Sequence, residues 1–118
     1  MKDTFKTVAQ IKEAFYNYHA SAGFQNYPSF PVTTDDPTVL FVNASMTPFK
    51  SAYLNGGYRN NYAIVQNCLR MGGAADMNLV GLNPYYHTFF EMYGSGIFTQ
   101  DYYSACQMMI SLLVDLGL

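Results

Sequence analysis

Two apolar, strand-like segments separated by a sixteen-residue connection constrain this chain more than any other feature. Tyr62 to Arg70 alternates two sets of side chains: Tyr62, Ile64, Gln66, Cys68 and Arg70 on one face, and Ala63, Val65, Asn67 and Leu69 on the other. His87 to about Tyr93 does the same, with Thr88, Phe90 and Met92 opposing Phe89, Glu91 and Tyr93. Between them, Met71 to Tyr86 reads as a loop or irregular excursion carrying Gly72-Gly73, Gly81 and Asn83-Pro84. Connections beyond about 12–15 residues are uncommon in compact domains and are often functional. Antiparallel pairing would bring Arg70 and Phe90 to one sheet face at the mouth of that connection. A guanidinium there can grip a phosphate bidentately, and a flat ring beside it can stack on a purine. The alternative is a half-buried Arg70 paired with Asp76 or Glu91, and a Phe90 that is simply core.

Helices flank these strands. Thr7 and Gln10 form a capping-box pattern ahead of Val8 to Ala22, where Ile11, Ala14, Phe15, Tyr18 and Ala22 make one apolar stripe and Gly23 follows as a stop. His19 is expected on the surface of this helix. Pro28, Pro31 and Pro37 keep residues 24–37 extended. Thr38 to Asn43 reads as a buried strand, residues 47–54 as a turn or short helix, and Asn55-Gly56-Gly57 as a turn. Gly94-Ser95-Gly96 suggests a bulge. A last helix is expected from Tyr102 to Leu116, with Thr99 or Asp101 as N-cap and Cys106, Met109, Ile110, Leu113 and Leu116 buried. The order helix–strand–strand–strand–helix predicts a single α+β domain over residues 1–118, an antiparallel sheet flanked by an N-terminal and a C-terminal helix.

Composition narrows function. Only 12% of residues are charged, against roughly 25% in an ordinary soluble domain, while 11 Tyr and 9 Phe supply the aromatics. Disorder is excluded, since it needs low hydrophobicity and high charge. The longest apolar run, Met108 to Val114, is far short of the roughly 20 residues of a membrane span. The first residues show no targeting pattern, which leads to the expectation of a cytoplasmic protein. Six basic residues are scattered and the net charge is −2, so this chain alone is a poor grip for tRNA or any other nucleic acid. Cys68 and Cys106 allow at most one disulfide and no cysteine metal site; both are expected as reduced core thiols. A Tyr-rich, charge-poor surface resembles an interface core, so a protein partner or a second copy is expected.

The blocks that carry these features resemble a known family. Asp36 to Lys50 (D-P-T-V-L-F-V-N-A-S-M-T-P-F-K) resembles the alanyl-tRNA synthetase segment D-P-T-L-L-F-T-N-A-G-M-x-x-F-K. Gln66 to Gly73 resembles Q-R-C-V-R-A-G-G, Asp76 to Gly81 resembles D-L-E-N-V-G, and His87 to Gly94 resembles H-T-F-F-E-M-L-G. Asp101-Tyr102-Tyr103 is similar to a following D-Y-F, so the likeness runs in order from about Gln10 to Tyr103.

This resemblance implies a partial class II synthetase core with motif 1 at Asp36 to Lys50 and motif 2 at Gln66 to Phe98. It implies ATP with Mg²⁺ as cofactor. Arg70 would be the catalytic contact to the α-phosphate and Phe90 the adenine platform, with Gly72, Gly73, Asp76 and Glu91 as further binding residues. The pattern also departs from the family. Ala74-Ala75 stand where it has a basic residue after Gly-Gly, Asn67 replaces an Arg, Ser45 replaces a Gly, and motif 3 is not found within the 118 residues. Two functions follow: an ATP-binding half-core needing a partner chain or a second copy for aminoacyl-adenylate chemistry, or a non-catalytic structural subunit derived from that fold. A stand-alone amino-acid ligase is a third, disfavoured by the missing motif 3. His87 is expected as a hydrogen-bonded residue at the loop end rather than an acid or base, and Glu91 could equally be a structural carboxylate.

Overall fold

A computed structural model describes residues 6–56, 60–71, 74–98 and 101–118. The elements run α1 (Val8–Ser21), β1 (Gln25–Tyr27), a 3-10 turn (Thr47–Phe49) leading into α2 (Lys50–Leu54), β2 (Tyr62–Leu69), α3 (Ala74–Leu79), β3 (Phe89–Gly96) and α4 (Tyr102–Asp115). The α+β class is as expected, and the architecture is consistent with a partial class II synthetase core. The sheet, however, is mixed rather than antiparallel. Its order is β1-β2-β3, with β1 parallel and β3 antiparallel to β2.

Local chemistry explains both helix starts. The Thr7 side chain accepts from the Gln10 amide at 3.2 Å, and the Gln10 side chain accepts from the Thr7 amide at 2.8 Å, closing the box. Asp101 caps α4 by accepting from the Ser104 amide at 3.1 Å; Thr99 and Gly57 lie outside the described residues. Gly23, at φ 85°, reverses the chain after α1 and drops Phe24 against His19, their ring centroids 5.1 Å apart.

β2 is the centre of the molecule and is covered on both faces. On one face Ala63 and Val65 pack with Phe15 of α1 and Leu112 of α4. On the other, Tyr62 and Ile64 pack with Phe49, whose ring lies parallel to that of Tyr62 with centroids 3.7 Å apart. Each fully buried side chain of this kind contributes roughly 1.5–3 kcal/mol.

Four expectations are corrected. Thr38 to Asn43 is not a strand. Asp36 Oδ1 accepts from both the amide and the hydroxyl of Thr38, at 2.9 and 2.6 Å, which curls the backbone into an Asx turn. Only Val42 then reaches the sheet region, donating to Val32 O and accepting from the Leu69 amide. The third strand is instead Gln25–Tyr27. Second, Gly94 to Gly96 form no bulge, because the pairing continues one-to-one from Ile64↔Gly94 to Tyr62↔Gly96. These glycines serve close approach: a Cβ on Gly96 would sit 2.0 Å from the Tyr62 ring. Third, His19 is buried, at 3% exposure, under Phe15 and Phe24, its Nδ1 donating to Phe15 O at 2.8 Å. Fourth, α4 is docked one position away from its expected phase. Leu112 is its buried residue, while Cys106, Met109, Ile110 and Leu113 are exposed.

Candidate functional site

The register of β2 and β3 builds the site. Cys68 pairs with Phe90, so their side chains share a face, and Arg70, two residues beyond Cys68, falls on that same face. The Arg70 amide donates to Thr88 O at 2.9 Å, carrying the ladder one bond past the end of β2. The guanidinium carbon stands 5.1 Å from the centroid of the Phe90 ring, within cation–π range. Arg70 Nε donates to Asn43 O at 3.0 Å. The two terminal nitrogens of a guanidinium form a fork of the kind that suits a phosphate or carboxylate.

The return path of the connection closes the other side. After α3 the chain turns at Gly81, φ 84°. Asn83 takes up the end of the helix, its amide donating to Leu79 O and its side chain accepting from the Tyr85 amide at 2.8 Å. The result is a cleft of about 290 Å³ lined by Arg70, Val80, Tyr85, Tyr86, His87 and Phe90. This is near the lower limit of the roughly 300–1,000 Å³ typical of ligand pockets. His87 Nε2 donates to Pro84 O at 3.0 Å, so the ring is held at the loop end. Among the described residues, Arg70 is the one cation in the lining and no carboxylate lines the cleft.

The other expected site residues are not assembled here. Glu91 pairs with Asn67 across the ladder and therefore faces the opposite side of the sheet from Phe90. There it accepts from Lys12 Nζ at 2.6 Å, which holds the lysine's pKa above its usual value. Its partner is thus Lys12 and not Arg70. Gly72 and Gly73 lie outside the described residues, as does the side chain of Asp76. Cys68, fully buried beneath the site, has its thiol pKa pushed up by burial, which makes it a poor nucleophile.

Three contributors were not legible in the sequence: Asn43, which anchors Arg70, and the pair Tyr85 and Tyr86. The signal for the tyrosines is Asn83-Pro84, a turn dipeptide that folds them back toward Arg70. Lys50 and Asp36 form a separate ion pair, 2.9 Å apart, that ties α2 to the Asx turn. Hydrogen bonds from Thr38 and Lys50 hold the Asp36 carboxyl down to about 2. Among the described residues no group of three His, Cys, Asp or Glu side chains could hold a metal ion, and no helix is long and apolar enough to cross a membrane.

This strand–connection–strand geometry is matched by sequence. The family model for tRNA synthetases class II (A) matches residues 10–118. The chain belongs to this family. Among curated relatives of this synthetase chain, the alanine–tRNA ligase of Idiomarina loihiensis is 43% identical over 99 residues, covering 80% of this chain and 11% of the relative. Those of Polynucleobacter asymbioticus and Cytophaga hutchinsonii are 42% and 41% identical over 100 and 102 residues. They too are covered over 11% of their length, so this class II sequence spans about a ninth of the ligases it resembles.

Proposed function

We propose that the Arg70–Phe90 cleft binds ATP, and that the chain is an alanyl-tRNA synthetase-like half-core that completes aminoacyl-adenylate chemistry with a partner chain or a second copy. The observation that carries this reading is the juxtaposition of one guanidinium and one aromatic ring on neighbouring strands, 5.1 Å apart, above a cleft walled by two tyrosines. The chemistry of these groups fits a nucleotide. Phe90 offers a face for a base, and the terminal nitrogens of Arg70 offer a fork for the α-phosphate. The bound nucleotide would supply the phosphorus centre that activates an amino-acid carboxylate. In this chain Arg70 would hold the phosphate oxygens and offset charge as it develops, while Val80, Tyr85 and Tyr86 would keep water from the base. No carboxylate lines the cleft among the described residues, so Mg²⁺ would arrive on the phosphates.

A second reading, a structural subunit derived from the synthetase fold, is favoured by one feature: Arg70 is the sole cation lining the cleft among the described residues, with two alanines following Gly72-Gly73 in the sequence. Calorimetric titration with ATP and Mg²⁺ decides between them. Binding that weakens by at least about tenfold in Arg70→Ala, as loss of charge-assisted bonds requires, supports the nucleotide site. No heat at millimolar ATP supports the structural subunit.

A further inference from the structure

The bond from Arg70 Nε to Asn43 O is exposed, so water competes for both of its partners. Such a bond holds a guanidinium only where its acceptor is fixed beforehand, because ordering two mobile groups costs more entropy than a solvated bond offsets. The aim of the cleft's cation therefore depends on what fixes the Asn43 carbonyl. Upstream, Val42 is tied twice: its amide donates to Val32 O at 2.7 Å, and its carbonyl accepts from the Leu69 amide at 2.9 Å. These bonds hold the peptide unit that enters Asn43. The two soft dihedrals of Asn43 itself, which aim the carbonyl that Arg70 reads, remain to be set.

We infer that Thr47 is a positioning residue of the cleft: its hydroxyl latches Asn43 so that the Asn43 carbonyl meets Arg70 Nε and the guanidinium fork is held ready for a phosphate. Thr47 Oγ1 donates to Asn43 Oδ1 at 3.0 Å in a partly buried setting, and the Thr47 amide donates to Ala44 O at 3.2 Å. The hydroxyl thus closes residues 43–47 into a ring around a turn. Thr47 delivers it from a rigid place. Its branched Cβ restricts χ1, and it opens the 3-10 turn whose last residue, Phe49, is buried against the Tyr62 ring. The same segment also reaches the strand that carries the aromatic platform. The Ser45 amide donates to Met92 Sδ at 3.4 Å, and Met92 is the next residue on the Phe90 face of β3. One short turn therefore braces the backbone partner of the guanidinium and the strand of the ring, as a preorganised site requires. The consequence for ligand binding rests on the nucleotide reading proposed above; the orientation of Arg70 is measured without it.

Solvent exchange of the Arg70 Nε–H, followed by NMR on nitrogen-15-labelled chain, tests the latch directly. The sequence holds two arginines, Arg59 and Arg70, so the signal that disappears in Arg70→Lys is assigned at once. Thr47→Val keeps the size and the branched Cβ but removes the hydroxyl; exchange at Arg70 should speed up by about threefold or more. Thr47→Ser keeps the hydroxyl and should restore the slow exchange. In calorimetric titration with ATP and Mg²⁺, Thr47→Val should weaken binding by about three- to tenfold and Thr47→Ser should recover it. In an Arg70→Lys background, where the side chain has no Nε–H to anchor, Thr47→Val should bring no further loss. Unchanged exchange in Thr47→Val overturns the inference, as does equal acceleration in the Val and Ser variants. An undiminished effect of Thr47→Val on ATP in the Arg70→Lys background overturns it too, by showing that Thr47 acts by a route other than Arg70. Absence of ATP binding by the parent refutes the nucleotide reading alone, and the exchange rates still decide whether Thr47 orients Arg70.

Discussion

Gln66 should prove the most sensitive polar residue in the sheet. It is fully buried in the middle of β2, and its amide is read at both ends by one residue. Oε1 accepts from the Phe30 amide at 3.0 Å, and Nε2 donates to Phe30 O at 2.9 Å and to Asn67 O at 2.8 Å. The side chain thus imitates a strand, fastening the Pro28–Pro31 segment to the sheet where proline prevents a real ladder. Three neutral hydrogen bonds at about 0.5–1.5 kcal/mol each give a gross contribution near 3 kcal/mol. Gln66→Leu keeps the volume and loses the bonds. Phe30 is partly exposed, so water recovers some of its backbone pairing, and the expected loss is about 1–2 kcal/mol. Gln66→Ala adds a cavity, raising the expected loss to about 3–4 kcal/mol, out of a total stability of roughly 6–18 kcal/mol for a chain of this size. Urea unfolding of the three proteins, with shared m-values, measures both steps. Two results refute the reasoning. A Leu variant within about 0.5 kcal/mol of the parent would show that the clamp contributes nothing net. Leu and Ala variants of equal stability would show that packing around Gln66 is irrelevant.

Further outcomes follow from single contacts. Gly96→Ala places a methyl group within 2.0 Å of the Tyr62 ring and 2.6 Å of the Tyr53 hydroxyl; overpacking of that severity should cost on the order of 2–3 kcal/mol in thermal unfolding. Burial lowers the pKa of His19 below the usual 6.5, outweighing its bond to Phe15 O. The unfolded chain therefore binds the proton more readily, and stability that is full above about pH 6.5 should decline as pH falls below it. Melting temperature followed from pH 7.5 down to 5 should show this decline, and His19→Phe should remove it. The exposed Lys12–Glu91 pair should contribute no more than about 1 kcal/mol, fading with added salt in a double-mutant cycle.

What could be read from the sequence was local. The Thr7–Gln10 box, the Asp101 cap and Gly23 each act within one turn of their own helix, so residue types alone revealed them. Alternation in β2 and β3 settles face membership, which is why the sequence alone puts Arg70 and Phe90 on one face once the strands pair antiparallel. The misses are competitions between local and distant terms. Thr38 to Asn43 has strand composition, but the Asp36 side chain bonds the Thr38 backbone first. His19 has the chemistry of a surface residue, but the reversal at Gly23 brings Phe24 over it. In α4 two adjacent faces are apolar, and periodicity cannot say which of them the sheet will take. Asn43 reaches Arg70 across 27 positions of sequence, a pairing set by where Val42 meets the end of β2 and encoded in no motif.

The geometry of the cleft is therefore a consequence of register. Side chains alternate with a period of two, so a slip of one residue between β2 and β3 would turn Phe90 to the face that Glu91 and Phe89 now occupy. Guanidinium and ring would then lie on opposite sides of the sheet. What resists the slip lies at the far end of the same strand pair. Gly96 leaves just enough room for the Tyr62 ring, and Gly94 does the same for Ser45, whose Oγ would be 2.1 Å from an added Cβ. A slipped pairing would oppose Ser95 or Ile97 to Tyr62 and put a side chain where only hydrogen fits. Ser45 belongs to the same segment as Asn43, the anchor of Arg70. The two glycines thus fix both the partner strand and the backbone that orients the guanidinium, and a cleft formed at one end of the β2–β3 pair owes its geometry to packing at the other.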